Sequence, residues 1–542
     1  MQNALGLRST CRREFLKKAG LTALATFALG AAPSVRGNGA SRRSNILFIQ
    51  PDSWDGRVLG CMGHPAMPRA TPNLDALAAR GVLFRNAYCN SPICCPSRAS
   101  MWSGRYTHHC EGWNNHKGLS EGDTTFRTHL DAAGYRTQAY GKEDYLSGGH
   151  TVRARVSAWT RSASITRPQY RMAGPELIAG GEARVHEKDW RNAERAVTWL
   201  ENAAKSPATP FTLYLGISAP HPRFVTSERY YDLIEGTGVT IPPADKQDHP
   251  AMAYQRAVKN WMHGFSEDTV RRVRRVYYAM CAEVDAMMGE ILAALERTGL
   301  AQSTYVIFTS DHGENALEHR QFYKMNFYES SARVPLIVAG PDVRRGAEVT
   351  APVSLVDIYP TLMDMAGIAQ PDGLDGHSLM PQLAEDSIAR PDWVLSEYHD
   401  TTINTGAFML RCGDWKYIAY VGQPPQVFNL KDDPEEVMNH AETAPAVVAD
   451  MDALLRRIVD YEAVDAKVKA YDRDAFRRWR DEERTARTYG ETMARIFSGW
   501  DDLEPADVVP WTAEDEARIE AWLETPPMPS LPRPEPNETK DE

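Results

Sequence analysis

SPICCPSRASMWSGRY, running from Ser91 to Tyr106, is the stretch from which the rest of the chain is read. Two cysteines, Cys94 and Cys95, stand directly before Pro96, Ser97 and Arg98, where a helix of small residues starts and runs to about Gly104. Backbone N–H groups at a helix start point at whatever lies in front of them, and Arg98, one turn in, adds a fixed positive charge. The segment therefore predicts an anionic reaction centre in front of this helix start. The plainer alternative is a pair of buried structural thiols beside a turn.

Outward from this helix, short apolar runs alternate with helical patterns. NILFI (Asn45–Ile49), FTLYLGI (Phe211–Ile217) and TYVIFTS (Thr304–Ser310) suit buried strands, and LDALAARG from Leu74 suits a helix. That order predicts an α/β fold with a mainly parallel sheet covered by helices on both faces. The clearest helix has Ser266 as its cap, Glu267 and Asp268 in its first turn, and apolar residues at helical spacing from Val273 to Ile291 until Gly299 stops it. PLIVAGP from Pro335 and the helical VDIYPTLMDMAGI from Val356 follow. From about Asp400 the segments AFMLR, WKYIAY and QVFNL predict a small antiparallel sheet followed by charged helices. The division read from this is a catalytic α/β domain over 44–399 and a smaller α+β subdomain over 400–525.

The two ends read differently. Arg12 and Arg13, then EFLKKAG and the short apolar LTALATFALGAA, predict a twin-arginine signal over residues 1–38, with an uncleaved anchor as the alternative. Export of this kind implies a periplasmic or secreted bacterial protein, and no later run is apolar enough for a membrane span. The Pro-rich tail 526–542 is expected to be disordered. Asp and Glu outnumber Lys and Arg by 72 to 61 without a long basic run, which argues against a nucleic-acid partner. The eight cysteines show neither metal-type pairing nor a dense disulfide pattern.

Each buried run is followed within a few residues by a polar cluster: Asp52 after NILFI, His221 after FTLYLGI, and Asp311 with His312 after TYVIFTS. Open α/β sheets bind ligands at the carboxyl ends of their strands, so these groups are expected to meet. Asp52, Asp311 and His312 are hard and borderline ligands for a divalent cation. Lys142 in YGKEDY and Lys324 in QFYKMNFYE add positive charge, with a surface ion pair as the alternative for each.

In combination these segments resemble the type I sulfatase family. Cys-x-Pro-Ser-Arg at Cys94, NILFIQPDSWDGRVLGCMG, GYRTQAYGK, SAPHP, TSDHGE and SARVPLIVAGP look like its recurring segments, in family order. WNNHKGL, YAMCAEVDAMMGEI, EHRQFYKM and VSLVDIYPTL look like its arylsulfatase K-like branch, which acts as glucuronate-2-sulfatase. The resemblance implies an alkaline-phosphatase-like fold. It also implies that Cys94 is oxidised to formylglycine (3-oxoalanine) by a formylglycine-generating enzyme, and that residue 94, Asp52, Asp311 and His312 hold one Ca²⁺. Arg98 would orient the aldehyde hydrate, Lys142 and Lys324 would bind sulfate oxygens, and His221 would serve the leaving group. His249, in QDHPAMAY, would contact the substrate, with Lys117 a weaker second choice. A hydroxyl of the hydrated aldehyde would attack sulfur, and the second hydroxyl would expel sulfate, which an ordinary serine or cysteine could not do.

Two departures from the wider family stand out: Ser53 where many sulfatases have a second Asp, and Asp144 where many have His after the lysine. The arylsulfatase K-like branch shares both, and His150 is the one nearby imidazole that could stand in. The reaction expected is exo-acting removal of a 2-sulfate from uronate residues of glycosaminoglycan-like saccharides. Alternatives are another sulfated sugar or aryl sulfate, a phosphonate or phosphate monoesterase of the same superfold, and a non-catalytic binder of sulfated glycans.

Overall fold

The computed structural model describes residues 43–165, 184–246, 248–259, 261, 264–385, 390–498 and 508–524. The signal expected over 1–38 and the tail expected over 526–542 lie outside them. Seven strands form the main sheet: β1 (Asn45–Pro51), β2 (Val82–Phe84), β3 (Arg136–Gly141), β4 (Phe211–Ile217), β5 (Thr304–Thr309), β6 (Leu336–Ala339) and β7 (Ala347–Val349), in the order β3-β4-β1-β5-β6-β2-β7. β1, β4 and β5 are the apolar runs read from the sequence, and every residue in them is buried. Continuous burial on both faces is what a central parallel strand requires. β6 alone runs against its neighbours β5 and β2, so the sheet is mixed but mostly parallel.

Helices flank the sheet in two groups. α1 (Pro72–Arg80), α3 (Glu187–Ala203) and α4 (Glu267–Arg297) pack together, and α2 (Cys94–Ser103) packs with Phe126–Ala132 and Ile358–Ala366. α4 starts where the sequence predicts, with Ser266 Oγ accepting from the Thr269 N–H at 3.2 Å. Its Tyr277 holds the loop beyond β1 in place: the hydroxyl donates to Ser53 O and accepts from Asp55 N, each at 2.9 Å.

The register decides where the chemistry goes. Pro51 lies opposite Ile217, Ile49 opposite Phe308 and Gly141 opposite Gly216, so four adjacent parallel strands end at one level. The approach at the end of β3 is close enough to demand glycine, because a Cβ on Gly141 (φ +81°) would meet Gly216 O at 1.8 Å. Lys142 is delivered from this point.

The second sheet is an antiparallel meander of β8 (Trp393–Tyr398), β9 (Ala407–Cys412), β10 (Trp415–Tyr420) and β11 (Gln423–Asn429). Its first strand lies on the N-terminal side of residue 400. WVLSEY gives little sequence signal, because only the pairing Val394↔Arg411 to Tyr398↔Ala407 shows it to be a strand. From β10, Lys416 reaches into the larger body, fully buried, with Glu329 and Glu436 each at 2.7 Å and Phe327 O also at 2.7 Å. Two carboxylates and a carbonyl around one ammonium fix the second sheet against the segment that follows Lys324.

Candidate active site

Successive strand ends supply Lys142 (β3), His221 (β4), Asp52 (β1), and Asp311 with His312 (β5). Helix α2 aims its first residue, Cys94, at the same level, and all ten of its residues are buried. Gly104, in the left-handed conformation at φ 66°, ends the helix and returns its N–H to Met101 O and Ser100 O.

Asp52, Cys94, Asp311 and His312 each place a donor atom within 4.8 Å of all the others. Ligands at roughly 2.3–2.6 Å from a common hard cation span about that distance, so the set, with two carboxylates in it, fits a divalent ion. Cys94 Sγ lies 3.3 Å from His312 Nε2 and 3.9 Å from Asp52 Oδ1. Because His312 Nδ1 faces Gly313 O at 2.9 Å, that nitrogen carries a hydrogen and Nε2 is the atom turned to the cluster.

The cluster is held from behind by Arg98, whose side chain is 0% exposed. Nε donates to Asp311 Oδ2 at 2.8 Å, and Nη1 donates to Tyr214 Oη (2.8 Å), Lys142 O (3.0 Å) and Gln50 Oε1 (3.3 Å). Nη2 is buried without a hydrogen-bond partner among the described residues, 3.6 Å from Asp52 Oδ2. An orphaned guanidinium N–H beside the reaction centre is a donor available to an oxygen bound there.

Charge balance follows from this packing. Burial pushes the Asp52 carboxyl up, but Lys142, His221, Lys324 and His312 around it hold it well below the usual carboxylate range. Burial and Asp52 push the Cys94 thiol up, yet Lys142, Lys324 and His312 outweigh them and hold it well below an ordinary thiol. Lys142 Nζ sits 2.5 Å from Asp52 Oδ2 and 3.3 Å from Asp144 Oδ2. Lys324 is 5% exposed, lies in the field of Cys94, Asp52 and Asp311, and forms no ion pair among the described residues.

Cys95, one residue on, is in a different setting. Its Sγ turns to Leu146 O at 3.7 Å, its N–H donates to Asn115 Oδ1 at 3.0 Å, and burial pushes its thiol well above the ordinary value. The helix register thus separates the two adjacent thiols.

Both departures noted in the sequence have structural roles. Ser53, at φ 68°, donates its hydroxyl to Asp52 Oδ1 (2.8 Å) and its N–H to Asp311 Oδ1 (3.2 Å), so it orients two carboxylates in place of adding a third. Asp144 bridges Lys142 and His150 Nε2 (3.2 Å), which leaves His150 outside the four-residue cluster.

His221 joins the site through the SAPHP turn, where Asp189 accepts the Ser218 and Ala219 N–H groups at 3.0 and 2.9 Å. Its Nδ1 is 2.6 Å from Pro222 O, which leaves Nε2 for chemistry. His249 is not among the four residues of the cluster. It is 5% exposed and caps the helix Pro250–Val258, with Nδ1 accepting from Ala251 N (3.2 Å) and Nε2 2.8 Å from Pro424 O. With both ring nitrogens engaged, it offers no free donor to a substrate in this geometry. Lys117 is also elsewhere, with Nζ on Gly118 O and its side chain lining a cleft beside Ser103 and Arg105. Gln50 and Tyr214, which hold Arg98, were not singled out in the sequence because both lie inside strands that read simply as core.

Residues 44–368 match the family described as Sulfatase, and residues 317–461 match that described as N-sulphoglucosamine sulphohydrolase, C-terminal. Arylsulfatase K of Danio rerio is 42% identical over 84% of this chain and 90% of its own length. Arylsulfatase K of Homo sapiens is 40% identical over 93% of this chain and 96% of its own. Among solved structures, a phosphonate monoester hydrolase of Agrobacterium radiobacter superposes with TM-score 0.63 at 24% identity, covering 79% of this chain and 96% of that one. A 2-O GAG sulfatase superposes with TM-score 0.60 at 24% identity, covering 80% and 94%.

Proposed function

The chain belongs to the sulfatase family of sulfuric ester hydrolases, and from that premise we propose that it is an exo-acting 2-O-sulfatase for uronate, chiefly glucuronate, residues of glycosaminoglycan-like saccharides. The observation that carries the sulfatase chemistry is the meeting of Cys94, Asp52, Asp311 and His312 in one buried cluster. The choice of sugar is supported by the likeness to arylsulfatase K. The maturation proposed is oxidation of Cys94 to formylglycine, and the ion proposed is one Ca²⁺ held by Asp52, Asp311, His312 and residue 94.

When present, the ion, held by Asp52, Asp311, His312 and residue 94, would supply positive charge beside the sulfuryl oxygens, and formylglycine at position 94 would supply the oxygen nucleophile. The remaining work belongs to the chain's own groups. Arg98 Nη2 is the fixed donor behind the nucleophile, and Lys142 and Lys324 take sulfuryl oxygens as charge spreads over them. His221, with Nδ1 pinned to Pro222 O, gives its Nε2 proton to the departing sugar oxygen. Burial of the cluster keeps competing water out and strengthens each of these interactions.

We further propose twin-arginine export to a periplasmic or secreted location, with no nucleic-acid partner and no membrane attachment after signal cleavage. Among the described residues no helix is long and apolar enough to cross a membrane.

The test is a panel of sulfated disaccharides differing only in the sulfated position, run beside aryl sulfate, aryl phosphate and phosphonate esters. Release of sulfate from uronate O2 in preference to hexosamine O6 is the expected result. Preference for hexosamine 6-sulfate overturns the sugar assignment, and preference for the phosphorus esters overturns the reaction.

A further inference from the structure

A uronate sulfate carries two anionic groups, so a site selective for it needs a second cation beyond those that hold the sulfate. His249 does not supply it here, since Ala251 N and Pro424 O occupy its ring. His150 is committed to Asp144. The helix that His249 caps does carry such a charge, at its other end.

We infer that Lys259 is the contact for the substrate carboxylate, an inference that rests on the uronate reading above. Lys259 is the C-cap of Pro250–Val258. Its ammonium lies over the ring of Tyr323, 5.7 Å from the centroid, and Tyr323 is the residue before Lys324. This juxtaposition is held by hydrogen bonds. Gln255, one turn before Lys259, donates Nε2 to Met325 O at 3.1 Å, and Met325 N donates to Pro92 O at 3.1 Å, two residues before Cys94. Helix end, Lys324 segment and the approach to Cys94 are thereby joined in one chain of contacts.

Lys259 is half-buried and forms no ion pair among the described residues. The charged groups facing it are Arg153 on the helix Val152–Trp159, Lys324, and Asp400 beyond β8. Asp400 accepts the N–H groups of Asn115 (2.7 Å) and Thr401 (2.5 Å). Burial, with Arg153 and Lys324 adding to it and Asp400 opposing, brings the Lys259 ammonium down to about 8. A half-buried cation without an ion-paired carboxylate is suited to receive one from a ligand. Lys324 then serves the sulfate and Lys259, on the neighbouring helix end, the carboxylate.

The experiment compares a disaccharide ending in 2-sulfated glucuronate with its carboxyl-reduced counterpart, for wild type, Lys259→Met and Lys259→Arg. Lys259→Met is expected to lower the ratio of the two kcat/KM values by at least about tenfold, mainly through KM of the carboxylate substrate, as truncating one partner of a charge pair does. Lys259→Arg is expected to restore most of that ratio. In the wild type, KM for the carboxylate substrate alone is expected to rise above about pH 8, and in Lys259→Met that rise disappears. Equal losses on both substrates would make Lys259 structural and overturn the inference, as would an unchanged ratio. If the wild type ignores uronate 2-sulfate and cleaves another sulfated sugar, the uronate reading fails first and takes this contact with it. Thermal melting of both variants separates misfolding from lost selectivity.

Discussion

Replacing Arg98 by lysine keeps the charge and removes the fork, and the structure states what each change costs. Lysine has one ammonium for the five sites the guanidinium spans: Asp311 Oδ2, Tyr214 Oη, Lys142 O, Gln50 Oε1 and the orphaned Nη2 direction toward Asp52. One of the acceptors does not become an orphan, because the single Tyr214 Oη hydrogen is available to Gln50 Oε1 at 2.7 Å or to Lys142 O at 3.1 Å. The net stability loss is therefore one or two buried hydrogen bonds, about 1–3 kcal/mol. Activity suffers more, because the donor behind the nucleophile is gone: removing one such donor costs roughly 10²–10³ in kcat, or about 2.7–4 kcal/mol. The assay is kcat on an aryl sulfate with Ca²⁺ present, normalised to the fraction of residue 94 converted, measured by peptide mass spectrometry, and paired with urea denaturation. A properly converted Arg98→Lys enzyme within tenfold of wild type would refute the role given to Nη2.

Cys94→Ala is expected to abolish turnover, and Cys95→Ala, which loses only contacts near Leu146 and Asn115, to stay within a few-fold; unmodified Cys94 in fully active enzyme would sink the formylglycine assignment. Chelation is expected to remove activity that Ca²⁺ restores, since Asp52, Asp311 and His312 offer no sulfur, whereas stoichiometric zinc with indifference to calcium would reject the ion chosen. The buried pair His108–Glu397, 2.7 Å apart, gives a pH test. Burial pushes Glu397 up, but His108 and His399 hold it at about 2, so its contribution is present above 4.5 and lost as pH falls toward 2. Burial pushes His108 down, but Glu397 raises it overall, so its contribution is present below 6.5 and lost as pH climbs through the higher folded value. His108→Gln should therefore lose most stability between pH 4.5 and 6.5, and a pH-independent loss would show that the pair is not ionic.

What could be read in the sequence was whatever burial had written into it. β1, β4 and β5 are central, so their runs are unbroken apolar residues, and the polar groups just beyond them announced the cluster. β3, RTQAYG, is an edge strand with part-exposed side chains, and its sequence carries no such run. β8 mixes polar and apolar residues and becomes a strand only through β9. Side-chain surroundings set by distant partners were also hidden: His249, read as a site histidine, has its Nε2 at Pro424 O, 175 residues away. Lys259 was passed over because its meaning comes from Tyr323 and Lys324, which reach it only through the folded loop. Ser53 and Asp144 looked like losses, and their hydrogen bonds make them positioning groups.

Cys94 is 3% exposed, inside a helix whose every residue is buried. That fact imposes an order of events. Under the proposed maturation an oxidising enzyme would have to reach Cys94 before it is buried, since the finished fold leaves it 3% exposed. Conversion at this position would therefore compete with folding, and a molecule that folded first would keep its thiol. The yield of active protein is then set by which process is faster during synthesis, so slowing translation or supplying more oxidising enzyme should raise specific activity without changing a single contact in the folded molecule.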